Sequence, residues 1–152
     1  MKLSLLNALT IGFIICSILA FKPVPQARQG IEGYVYLVTG NQMPGPGVKR
    51  PAPKGIKTTV YIYALTNISQ VVKPDDSPFY SSIKTKLVKR VVSDSKGRFS
   101  VQLPPGSYSV FTKKDSLFYA NLSDEKNNIF PVKVAKGKMT KIDVQVNYNA
   151  VY

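Results

Sequence analysis

From Gly30 onward the apolar residues recur at every second position rather than at the 3.6-residue spacing of a helix. Ile31, Gly33, Val35 and Leu37 alternate with Glu32, Tyr34, Tyr36 and Val38. Residues 58–65 are β-branched and aromatic, and 84–93 form a third extended segment. In that segment Leu87, Val88, Val91 and Val92 fall on both parities, which points to a bulge. Phe99, Val101 and Leu103, then Tyr108 and Val110, alternate with polar residues. Segments 129–134 and 139–148 close the series, and Ile142, Val144, Val146 and Tyr148 form one face of the last. Seven strands with short turns and no helix predict an all-β fold, a single antiparallel seven-stranded sandwich.

Glycine, proline and aspartate punctuate these strands. Asp94-Ser95-Lys96-Gly97 reads as a tight hairpin turn, with the Asp side chain bonding local backbone and Gly free to take positive φ. Pro105-Gly106 fits the central positions of a type II turn, and Lys136-Gly137-Lys138 joins the last two strands. Two stretches, 39–57 and 66–82, are rich in Pro and Gly or in Pro and Asp and read as long loops.

The stretch from Ser93 to Tyr108 combines Ser-Asp, then Gly97-Arg98-Phe99, then Leu103-Pro104-Pro105-Gly106-Ser107-Tyr108. It resembles the carboxypeptidase regulatory-like family. Gly30-Ile31-Glu32-Gly33-Tyr34-Val35 is similar to that family's first strand, where a small residue stands between apolar ones. The resemblance implies a prealbumin-like, Ig-like sandwich, usually a non-catalytic module of exported bacterial proteins. It makes Asp94, Gly97, Phe99, Leu103, Gly106 and Tyr108 structural: turn formers, core residues, and a buried phenol tied to backbone.

Ahead of this domain, Met1-Lys2 precedes a mostly apolar run to Phe21, in the order of a secretory signal peptide. Cleavage is expected after Ala20, with Ala27 a poorer second choice. An uncleaved anchor and lipidation at Cys16 are the alternatives. The expected organisation is a signal peptide over 1–20, an extended leader over 21–29, the sandwich over 30–148 and a tail over 149–152. Export to the periplasm, cell surface or medium follows, with no membrane span after cleavage.

Composition narrows the chemistry. The chain of 152 residues has no histidine and one cysteine. Imidazole-based acid–base catalysis, Ser-His-Asp and Cys-His nucleophiles, and zinc sites needing His are thereby excluded. The histidine-dependent hydrolase lineage among prealbumin-like folds is excluded with them. The eight carboxylates show no opposed pair, so no catalytic residue, metal site or cofactor is expected, and a carboxylate-based hydrolase is the alternative. The net charge of +13 attracts polyanions, but export argues against nucleic acid, and lysines on edge strands also prevent sheet aggregation. Alternation turns Tyr34, Tyr36, Tyr61 and Tyr63 outward if Val35, Leu37, Val60 and Ile62 face the core. Should the two strands pair, the four rings form one stripe, a candidate platform for an envelope glycan, peptide or protein ligand. Cross-strand aromatic packing under the 39–57 loop is the competing reading. An inert structural component is the third class of function.

Overall fold

The computed structural model describes residues 28–43, 45–47 and 51–151, and side chains as far as Asn147. The expected signal segment, Cys16, and most of the leader lie outside the described residues. Among those described, no helix is long and apolar enough to cross a membrane. The structure is all-β. Its strands are β1 (Gly30–Asn41), β2 (Lys54–Gly55), β3 (Thr59–Ala64), β4 (Val71–Val72), β5 (Phe79–Tyr80), β6 (Ser82–Ile83), β7 (Leu87–Val92), β8 (Arg98–Gln102), β9 (Gly106–Lys114), β10 (Leu117–Tyr119), β11 (Pro131–Val134) and β12 (Met139–Val151). A 3-10 turn, Ile68–Gln70, precedes β4.

Two sheets share one apolar core. In the first, β1 is central: β12 runs along one side, and β8 then β2 along the other. In the second, β7, β3 and β9 lie side by side, with β11 and the β10–β5 pair on the far side of β9. Ile31, Val35, Val101, Val144 and Val146 of the first sheet and Val60, Ile62, Val110, Val132 and Val134 of the second are buried together. Burying each such side chain contributes about 1.5–3 kcal/mol, and the period-two pattern is what delivers them all to one side of each sheet.

Most pairings are antiparallel, but β1 and β12 run parallel from Gly30↔Met139 to Leu37↔Val146. The expectation of a wholly antiparallel sandwich is corrected there. A register shift between Leu37 and Thr39 then turns Val38, expected outside, into the core. Asn149, Ala150 and Val151, expected as a tail, pair with Thr39, Gly40 and Asn41, so strand replaces the start of the first loop as well. The bulge expected in the third strand is present: the β3–β7 register slips so that Val88 has no opposite residue.

The Asp94 turn forms as its residues require. Gly97 has φ +84 and donates its N–H to the Asp94 carbonyl at 2.9 Å. Asp94 Oδ1 accepts the N–H groups of Lys96 and Arg98, each at 2.9 Å. It is not a hairpin, however. It carries the chain from β7 in the second sheet to β8 in the first, and the Lys136-Gly137 turn likewise crosses from β11 to β12. Gly97 is pressed against β1, where its carbonyl accepts from Val35 N–H at 2.8 Å. An added Cβ would stand 2.3 Å from the Val35 oxygen.

Gly106 departs from expectation. Its φ lies outside the left-handed region and it opens β9 as extended backbone. No type II turn demands it. Tyr108 instead holds the corner, buried, with its hydroxyl donating to the Pro104 carbonyl at 2.8 Å. Phe99 and Leu103 are core residues as the resemblance implies.

The 66–82 stretch is structured rather than free. Thr66 is fully buried and donates its N–H to Ser109 Oγ at 2.9 Å. This explains why Ser109, outward by alternation, is buried too. β9 also runs on to Lys114 and turns at Asp115, φ 54, into β10. That hairpin escaped the sequence reading because it contains neither Gly nor Pro.

Candidate functional site

The four tyrosines do not form one stripe. β1 and β3 belong to different sheets, so the pairing that would unite them does not occur. Tyr61 and Tyr63 stand on the outer face of the second sheet. There Tyr63, 8% exposed, meets Phe111 and Phe118 edge-on at 5.6 and 5.7 Å. Tyr80 from the 66–82 stretch joins Phe111 at 5.9 Å. Tyr61 packs on Phe118, with the Lys113 ammonium over both rings. Burial holds the Tyr63 and Tyr80 phenols above their ordinary pKa. The aromatic packing expected under the first loop thus exists for this pair, but the second loop supplies the cover.

Tyr34 and Tyr36 differ. They lie two apart on the outer face of β1, their rings 5.8 Å apart and within 11° of parallel. Tyr34 is 41% exposed. The register places Asp143 on one side of Tyr34 and Arg98 on the other, and Lys141 beside Glu32. Tyr36 lies between Gln145 and Gly55. A Cβ on Gly55 would stand 2.0 Å from the Lys96 carbonyl, so only glycine fits on that side of Tyr36. The result is an open groove of about 520 Å³, lined by both tyrosines, Glu32, Arg98, Lys141 and Asp143, with the backbone of the Ile142–Gly33–Phe99 row beneath.

Gly33 makes that floor possible. A Cβ there would fall 1.7 Å from the Ile142 carbonyl, so no larger residue fits between β1 and β12. Asp94 reaches the groove rim through Arg98: Nε donates to Oδ2 at 3.0 Å, in an exposed pair worth little by itself. It orients the guanidinium next to Tyr34. Partial burial, then the Asp143 carboxylate and Tyr34, hold the Tyr36 phenol above its ordinary pKa.

Glu32, Arg98, Lys141 and Asp143 were absent from the candidate set read from sequence. Their outward parity was legible. Their convergence was not, because it depends on the parallel β1–β12 pairing for Lys141 and Asp143 and on the antiparallel β1–β8 pairing for Arg98. A second concavity of about 350 Å³ lies between the 73–80 and 120–129 segments, with Tyr80 as its one ring. Glu32 and Asp143 occupy adjacent strands of one sheet face, side by side rather than across a cleft.

Scans against protein-family models, curated proteins and solved structures returned no match for this chain.

Proposed function

We propose that the chain is an exported, non-catalytic binding module of the bacterial envelope, and that it holds a glycan on the Tyr34–Tyr36 groove. The observation that carries this reading is the near-parallel ring pair, Tyr34 exposed and Tyr36 half-buried, flanked by two cations and two carboxylates. Flat rings accept the apolar face of a sugar at low conformational cost, and flanking charges fix its hydroxyls or acidic groups. The resemblance of the 93–108 stretch to carboxypeptidase regulatory-like modules favours the same class, and with it a prealbumin-like fold. The apolar leader favours export.

Retention on immobilised envelope polysaccharide tests it. Tyr34→Ala and Tyr36→Ala lose retention while Tyr61→Ala keeps it. Equal retention of all three variants contradicts the assignment.

A second reading has one observation in its favour: Glu32 and Asp143 line the same groove. A carboxylate hydrolase places its two carboxyls on opposite sides of the scissile bond, and these two share one wall. Release of reducing ends from the polysaccharide, abolished by Glu32→Gln or Asp143→Asn, would establish that reading in place of the first.

A further inference from the structure

The exposed sides of the two sheets are built differently. β7 ends the second sheet, and its register slips at Val88. Lys89 stands opposite Ile62, on the core-facing side of the strand. An irregularity and an inward-facing charge are devices that stop a bare edge from recruiting another strand. β12 ends the first sheet and has neither over Met139 to Val146, where its register with β1 is unbroken.

The Gly30 N–H donates to the Lys138 carbonyl at 3.1 Å. In a parallel ladder of period two, even-numbered residues of β12 therefore turn their backbone groups toward β1. Met139, Lys141 and Asp143 turn theirs away from the sheet, where the described residues provide no strand to meet them. Farther along, the Asn147 N–H points the same way and donates to the Tyr119 hydroxyl at 3.4 Å, which closes the edge at that end.

We propose that a second copy of this chain pairs along this edge, β12 against β12, antiparallel about a two-fold axis at Ile142. Charge complementarity selects the partner and the register. With the axis at Ile142, Lys141 lies opposite the partner's Asp143, and Asp143 opposite the partner's Lys141. Both pairs are hydrogen-bonded positions with side chains on the outer face, so opposite charges meet twice. An axis at Lys141 or at Asp143 sets like charges directly opposite each other, which is unfavourable. Odd offsets pair outward-bonding residues with inward-bonding ones and form no ladder. The interface is isologous and closes at two copies. It makes one continuous sheet of the two β1–β12 faces and brings both tyrosine grooves to the same side.

Sedimentation equilibrium of the purified chain without ligand, up to about 1 mM, tests this independently of the groove's role. The expected result is a reversible dimer. Lys141→Asp and Asp143→Lys each raise its dissociation constant by about tenfold or more. The double variant K141D/D143K restores it, because the swapped charges are again complementary. A monomer at every concentration overturns the proposal. So does a dimer indifferent to the single substitutions, or one that the double swap fails to restore.

Discussion

Two glycines of the 93–108 stretch look equivalent as letters and differ in what the backbone asks of them. Gly97 combines φ +84 with a carbonyl 2.3 Å from where a Cβ would sit. Gly106 has ordinary backbone, and its nearest obstacle is the Tyr108 hydroxyl at 3.4 Å. Gly97→Val is expected to cost about 2–4 kcal/mol, from left-handed strain and from displacing β1. Gly106→Val is expected to cost under about 1 kcal/mol, since a β-branched residue suits the start of a strand. Denaturant melts of the two variants check this, and equal midpoints contradict it. The aspartates give a second residue-scale expectation. Backbone N–H donation from Arg98 is the main cause holding the Asp94 carboxyl below its ordinary 3.8. Asp124 is held down first by the Asn128 side-chain amide and Asp75 first by the Ser77 hydroxyl, each with backbone N–H donation from the same residue second. A carboxyl whose folded-state pKa is depressed stabilises the fold fully above the unfolded value. That contribution is lost as pH falls through the lower folded-state value. The denaturation midpoint should therefore be flat near neutrality and fall below about pH 4. Asp94→Asn should flatten part of that fall, and an unchanged profile would contradict the role given to this side chain.

At the scale of elements, alternation showed which residues leave the core but not which sheet each strand joins. Tyr34 and Tyr61 each alternate with core residues of their own strand, yet they end on outer faces of different sheets. Parity is a local property, fixed by the pleat. Partner choice is a property of the whole topology. The Asp94 turn illustrates the same limit, since its residues specify the reversal and not the sheet that receives β8. The buried hydroxyls of Thr66, Ser93 and Ser109 were illegible for a related reason. Ser93 Oγ accepts from Thr58 N–H at 2.9 Å and donates to the Ile56 carbonyl at 2.8 Å, a clamp between segments 37 residues apart. The tyrosines now separate by energy. Tyr63→Ala opens a cavity between Phe111 and Phe118 and should cost about 3 kcal/mol or more. Tyr34→Ala removes an exposed ring and should cost less than about 1 kcal/mol. Thermal melts of the pair check the assignment, and a reversed order would contradict it.

At the scale of the whole molecule, fold class was legible because the core needs only the right parity in enough strands. The bulge at Val88 was legible too, because Leu87, Val88, Val91 and Val92 cannot all face one way in a regular strand. The groove was half legible. Tyr34 and Tyr36 announced themselves, while Lys141 and Asp143 reach them only through the pairing of β1 with β12, and Arg98 only through the pairing of β1 with β8. If the chain binds a glycan as proposed, this groove, and not another surface, engages it. An amide chemical-shift titration of the protein with soluble oligosaccharides from envelope polysaccharide tests it most directly. Saturable shifts are expected at Gly33, Tyr34, Tyr36, Arg98, Ile142 and Asp143, and their loss in the Tyr34→Ala variant. Shifts confined to the Tyr61–Phe118 face or to the 73–80 segment, or no shifts at all, would contradict it.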